Sequence, residues 1–235
     1  MQSSKPAESM RRLIGVALAL LLLSGCQKSL EDIIAEHRPA VEAVFAKIKA
    51  LDAAARDAAP VAEDRIDLGG AKVVLDGENT NALFIRQDNL ADPLNATSDG
   101  TGSTHAGNVK VCGEALRGDF IGHPGGAELF LKDCARAEYV FVQRTRSDQA
   151  AELVGSDTFN PGMYEGDVLL FRLSDGALLG GFAVNAKSSD EVSVALDESG
   201  NAIDPIGRLN SDMTAEVFSE IDTKLRALVP GSLRD

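Results

Sequence analysis

Few side chains in this sequence have the types and spacing that chemistry needs. Cysteines stand at Cys26, Cys112 and Cys134, and histidines at His37, His105 and His123. A thiolate can attack an electrophile, hold a soft metal or couple to another thiol, and an imidazole can move a proton or bind a metal. Cys112 and Cys134 form no Cys-x-x-Cys and have no regular histidine spacing beside them, which ranks a metal or redox pair low. Neither Gly102-Ser103 nor Gly155-Ser156 completes the Gly-x-Ser-x-Gly of a nucleophile elbow. The chain has no phosphate-cradling glycine loop ending in Lys-Ser or Lys-Thr and no His-Glu-x-x-His. Asp197-Glu198-Ser199-Gly200-Asn201 looks superficially like a calcium loop. Ala202 stands where that loop turns on glycine, however, and Arg208 stands where its bidentate acid belongs. His105 sits in a polar run, and His123, in Gly122-His123-Pro124-Gly125-Gly126, reads as an exposed turn residue. A hydrolase built from Asp157, Glu165 or His123 remains an alternative, and it requires a deep polar cleft with a shifted carboxylate.

The stretch Thr158-Phe159-Asn160-Pro161-Gly162-Met163-Tyr164-Glu165 offers recognition rather than reaction. Phe159, Pro161, Met163 and Tyr164 surround a Pro-Gly turn, and apolar groups displayed on a loop serve binding. The competing reading is that Phe159 and Tyr164 close the end of the core. With no Trp and two Tyr in the chain, a stacking platform for glycans is poorly provided.

The elements that would position these residues begin with a leader. Lys5, Arg11 and Arg12 precede the apolar run Leu13 to Leu23, the pattern of a signal-peptide core. A bilayer-spanning helix takes roughly 20 apolar residues, so this run is too short to span permanently. It ends in Leu23-Ser24-Gly25-Cys26, which resembles the lipobox of bacterial lipoproteins. That resemblance implies removal of residues 1–25, a diacylglycerol thioether on Cys26 and usually acylation of the new amine. Gln27 resembles the outer-membrane sorting pattern of Gram-negative relatives. Two or three acyl chains give a durable attachment where one holds only weakly. With Cys26 lipidated, Cys112 and Cys134 remain, and an exported compartment favours a disulfide between them.

Losing the leader removes Lys5, Arg11, Arg12 and Glu8 and moves the net charge from −13 to −15. Such a chain repels phosphate backbones, so nucleic acid is excluded as a partner. No cofactor is implied.

Residues 26–60 form the lipidated N-terminus and an amphipathic helix. Ser29 and Asp32 make a capping pair, and Leu30, Ile33, Ile34, His37, Val41, Val44, Phe45, Ile48 and Leu51 recur at steps of three and four. The helix is expected to run from Ser29 to about Asp57, roughly 43 Å at 1.5 Å per residue, with a kink at Pro39. It could stand off as a stalk or bind a partner, but so regular a stripe favours packing on the domain. Residues 61–235 read as one domain with a flexible polar loop over 88–108. Runs 71–75 and 82–85 predict a hairpin, 127–137 a short helix, and 139–145 a strand. Runs 166–173 and 177–185 predict a second hairpin turning on Asp175-Gly176, with a bulge or close approach at Gly180-Gly181. Val192–Leu196 is a further candidate strand. Met213, Val217, Phe218, Ile221, Leu225 and Leu228 form one face of a closing helix over 211–229.

This order predicts an α+β fold, a mostly antiparallel sheet packed by a long N-terminal helix and an amphipathic C-terminal helix. The Tyr139-Val140-Phe141-Val142 strand and the hairpin with Asp175-Gly176 resemble the module of envelope-assembly lipoproteins of the curli-secretion and penicillin-binding-protein-activator families. The chain lacks the alternating outward apolar residues of a membrane-spanning β-hairpin found in that company. The resemblance implies a non-catalytic binding or assembly module, tethered by lipid to the periplasmic face of the outer membrane, with an envelope protein as partner.

Overall fold

Alternation along Tyr139-Val140-Phe141-Val142 divides the molecule in two, because successive strand side chains point to opposite faces of a sheet. Tyr139 and Phe141 join one apolar cluster, while Val140 and Val142 join another. The computed structural model describes residues 28–75, 79–97, 108–155, 158–194, 199 and 203–232. The leader, Cys26, His105, Asp157 and Asp197 lie outside the described residues.

The helices are α1 (Leu30–Ala50), α2 (Asp52–Asp57), α3 (Val109–Arg117), α4 (Pro124–Ala135) and α5 (Pro205–Leu228). The strands are β1 (Arg65–Ile66), β2 (Ala82–Arg86), β3 (Tyr139–Gln149), β4 (Glu152–Leu153), β5 (Phe159–Asn160), β6 (Met163–Arg172) and β7 (Leu178–Lys187). Five strands form one sheet in the order β1-β7-β6-β3-β2, and β4 pairs with β5 in a separate ribbon. The β2–β3 pair is parallel, and the other neighbours in the main sheet are antiparallel. The fold is α+β with a mostly antiparallel sheet, as the pattern predicts.

One face of the sheet is covered by α1, α3 and α4, whose Ile33, Val41, Ile48, Leu116 and Leu131 pack with Leu83, Val140 and Leu169. On the other face, Val217, Ile221 and Leu225 of α5 pack with Phe141, Val168 and Phe182. The stripe of α1 is therefore buried in the common core and is not presented as a free stalk. Ser29 caps α1 in a full capping box, its Oγ accepting from Asp32 N–H while the Asp32 carboxylate accepts from Ser29 N–H. Pro39 lies on the exposed side inside α1 without ending it; the interruption falls instead at Leu51.

Several elements differ from the sequence pattern. Residues 71–75 form no strand, and β2 takes β3 as a parallel partner, so the first expected hairpin is absent. The two runs still approach each other, Asn81 N–H donating to Val74 O at 3.0 Å and Val74 N–H to Asn81 Oδ1 at 2.8 Å. Helix α3 was not read from the sequence. The 88–108 segment begins with two 3-10 turns, Gln87–Asn89 and Pro93–Asn95, which bury Leu90 and Pro93, and residues 98–107 lie outside the described set. Helix α5 starts at Pro205 rather than Ser211, because Asp204 caps it by accepting from Gly207 N–H and proline suits the first helical position. Residues 192–194 form no strand.

The β6–β7 hairpin turns at Gly176, where φ is +70°, and the Gly180-Gly181 close approach is present. Gly180 has φ +126°, and a Cβ there would overlap the Arg65 carbonyl oxygen of β1. Gly180→Ala is expected to destabilise the fold by about 1–3 kcal/mol, read as a lower urea midpoint at unchanged slope. An unchanged midpoint would show that β1 can move aside freely.

Candidate functional site

The recognition stretch folds as a turn between β5 and β6, pinned from several sides. Gly162 N–H donates to Ser188 Oγ at 2.9 Å, and Ser188 N–H returns a bond to Gly162 O at 3.1 Å. A side chain at Gly162 would collide with Met213 of α5 and with the backbone of Gln149 and Ala151. Asp212 of α5 accepts from Ser189 N–H at 2.7 Å and from its hydroxyl at 2.9 Å, fastening the segment after β7 to the same helix. The turn is thereby held by β3, β7 and α5 together.

Within that frame the singled-out residues separate. Tyr164 is 3 % exposed and belongs to the core beneath α5. Its hydroxyl accepts from Gln143 Nε2 at 2.9 Å and lies 3.2 Å from Thr145 Oγ1. Tyr164 therefore closes the core and is withdrawn from the recognition surface. Met163 is 49 % exposed, Phe159 and Pro161 are half-buried, and the ribbon pairs Phe159 with Leu153 beside exposed Val154. The surface that remains is a small apolar one of Met163, Phe159, Pro161 and Val154.

A charged cluster that the sequence did not disclose is buried between β3 and β6. Asp167 is fully buried and Arg144 nearly so, on neighbouring strands β6 and β3. Arg144 Nε and one terminal nitrogen grip the two carboxylate oxygens at 2.6 and 2.7 Å. The remaining N–H groups of Arg144 donate to the carbonyls of Ala55 (2.8 Å), Ala58 (2.7 Å) and Ala59 (3.1 Å). Arg146 and Val61 N–H also bind the Asp167 carboxylate. Burial alone would raise the Asp167 carboxyl, but the donors from Arg144, Arg146 and Val61 hold it below its ordinary value. With every oxygen engaged, this carboxylate is a clamp for the chain leaving α2 and offers no free base.

Among the described residues, the other candidates do not converge. His123 is exposed and caps α4, its Nδ1 accepting from Gly126 N–H at 3.0 Å. Glu165 is exposed on β6, with its Cα paired to Ser147 and Asn185. Cys112 of α3 and Cys134 of α4 form a disulfide, with Cα atoms 6.1 Å apart. Next to it Asp133 is buried, and burial raises its carboxyl above the ordinary value against the opposing pull of Arg136. An open cleft of about 350 Å³ lies between residues 58–67 and β7, with Val61, Leu169, Leu179 and Gly181 in its lining. Neither Asp133 nor Asp167 lines it, and its own acids Glu63 and Asp67 are exposed. Among the described residues no group of three or more His, Cys, Asp or Glu could hold a metal, and no helix is long and apolar enough to cross a membrane.

These features define an α+β domain with a clamped buried ion cluster and a small apolar turn surface. No family model matches the sequence, and no curated protein matches it. Among solved structures it is similar to a PelC dodecamer from Paraburkholderia phytofirmans, at 12 % identity over 67 % of this chain and 93 % of that one. The TM-score is 0.30, at which the likeness carries no argument.

Proposed function

We propose that this chain is a lipoprotein of the bacterial envelope, anchored through Cys26 to the periplasmic face of the outer membrane and acting as a non-catalytic binding or assembly module. The observation that carries this reading is the Leu23-Ser24-Gly25-Cys26 sequence behind a short apolar leader. The cystine supports it. Cys112 and Cys134 are joined, which suits an oxidising compartment and leaves Cys26 as the remaining thiol for acylation. The binding role rests on the firmly held turn that displays Met163 and Phe159, and on the absence of convergence among Glu165, His123 and the shifted carboxyls. The partner it fits is an envelope protein with a small apolar contact.

Cys26→Ser is expected to abolish incorporation of labelled fatty acid and to move the protein from the membrane pellet to the soluble fraction, since the acyl chains supply the attachment. Unchanged pelleting of the variant, or a mature chain starting anywhere but at residue 26, would end the tether reading. Photo-crosslinking from positions 159 and 163 in intact envelopes tests the binding role. Absence of any adduct above background at both positions would remove it.

A further inference from the structure

The loop from α3 to α4 carries the most exposed large apolar side chain of the described residues, Ile121, which is 98 % accessible. Phe120 precedes it, its ring 5.5 Å from that of Phe130 and packed over Gly122 and Gly126 in the first turn of α4. Leu129, also half exposed, lies three residues beyond Gly126 and thus on the same side of α4. The result is an apolar tip of Phe120, Ile121, Leu129 and Phe130 at the start of α4.

The N-terminus of the described chain lies at this same end. Ile34, in the second turn of α1, reaches Gly118 at the end of α3, its Cδ1 within 3.8 Å of where a Cβ would stand. Lys28 pairs with Glu36 at 2.5 Å, and its charge also feels Glu128, the neighbour of Leu129. Cys26 is two residues before Lys28, and two residues of extended chain span at most about 7 Å. An acyl chain on Cys26 would therefore enter the bilayer close to the tip.

Several charges around the tip are held in ion pairs, while Glu31 and Asp32 in the first turn of α1 add acidic charge at this end. Lys28 pairs with Glu36, Lys132 with Glu128 at 2.7 Å, and Arg117 with Asp119 at 2.9 Å. The pairing lessens the repulsion from anionic headgroups that the net charge of −15 of the processed chain imposes.

We infer that Ile121 and Leu129, backed by the core-packed Phe120, form a second membrane contact beside the lipid anchor, inserting into the headgroup region and fixing how the domain sits on the bilayer. This rests on the tether reading above. The occupant is a phospholipid surface. An apolar loop tip of this kind adds orientation to an acyl attachment, because a second contact beside the acyl chains stops the domain from swinging about one point.

The chain contains no Trp, so a single introduced Trp reports its own surroundings. The test uses the full lipidated chain in vesicles of phosphatidylethanolamine and phosphatidylglycerol, with acylation verified by mass. Ile121→Trp and, separately, Leu129→Trp are expected to show blue-shifted emission and loss of intensity when brominated phospholipids replace ordinary ones. Leu178→Trp is the control. Leu178 follows the Gly176 turn, which Leu51 touches just past the C-terminal end of α1, about 30 Å along a 21-residue helix from Lys28. Its emission is expected to stay at the aqueous wavelength and unquenched. If acylated protein floats with the vesicles while both tip probes emit as in water, the second contact is overturned and the tether stands. If the chain is not acylated and does not float, the tether fails and the contact falls with it. Equal quenching at position 178 would also overturn the inference, since the domain would then have no preferred face.

Discussion

Asp167→Asn is expected to lower stability by about 3–5 kcal/mol, the effect of breaking a buried ion pair by removing one charge. The loss arises because Arg144 keeps its charge with 7 % of its surface in water and no anion to meet it. Arg144→Met is expected to cost at least as much, since it strands the carbonyls of Ala55, Ala58 and Ala59 and leaves the buried Asp167 carboxylate only Arg146 and Val61 N–H. Lysine is no substitute, because a single ammonium cannot serve five directions as the planar guanidinium does. Arg144→Met combined with Asp167→Leu is expected to lose less than the sum of the separate changes, as both charges leave together. Urea unfolding of the parent, Arg144→Met, Asp167→Leu and the double variant decides this, and strictly additive stability losses would show that the pair is not coupled.

The pH dependence has a definite sign. The folded Asp167 carboxyl is held below its ordinary value, so its contribution is complete above the unfolded pKa of about 3.9 and disappears as pH falls through the lower folded value. The stability difference between the parent chain and Asp167→Asn is therefore expected to be flat near neutrality and to narrow only in acid. A difference that narrowed between pH 6 and 8 would point to another group; these bounds bracket roughly the range in which only histidine ordinarily titrates.

Replacing Cys112 and Cys134 together by Ala is expected to lower stability by about 3 kcal/mol, the loop-closure entropy of a 22-residue separation. Both sulfurs are buried, so a reductant reaches them only through opening of the native state, and the oxidised form is expected to resist mild thiols at neutral pH. The effect should be local as well as global. Helix α3 has nine residues, and the bridge ties it to α4 across one face of the sheet. Hydrogen exchange in the double variant is expected to lose protection in α3 before the β3–β6 ladder. Identical midpoints and exchange patterns would show that packing of Val109 and Leu116 alone fixes the helix.

Much of this architecture was written in local patterns. The stripe from Leu30 to Leu51, the Asp175-Gly176 turn and the apolar face from Met213 to Leu228 are each set by neighbours within a few residues, and each reappears in the structure. Helix α3 escaped because it is short, contains Gly113 and adjoins a polar run, although Val109, Cys112 and Leu116 are spaced as one helical face. The parallel β2–β3 pairing escaped for a different reason. Its partners are 57 positions apart, as in Ala82 with Tyr139, and a strand's hydrophobicity does not name its neighbour. Arg144 next to Gln143 and Thr145 resembled the polar end of a strand, so nothing local announced that Asp167 would meet it. For Tyr164 the sequence left a displayed turn aromatic and a core-closing residue both open, and as the second residue of β6 it joins the core beneath α5. The local run before Cys26 is what proposes it as a lipidation site, whereas the buried ion clamp is a product of tertiary structure with no such local signal.

The two faces of the sheet are closed by opposite ends of the chain, with consequences for biogenesis. Helices α1, α3 and α4 all precede β3, so the first face can be roofed as soon as the strands exist, whereas α5 is the final element. Until residues 205–228 are released, Phe141, Phe182 and Val184 stay wet. A nascent or clipped chain therefore carries a greasy, half-finished surface, and shielding it from its neighbours is a task for holdase chaperones during that interval.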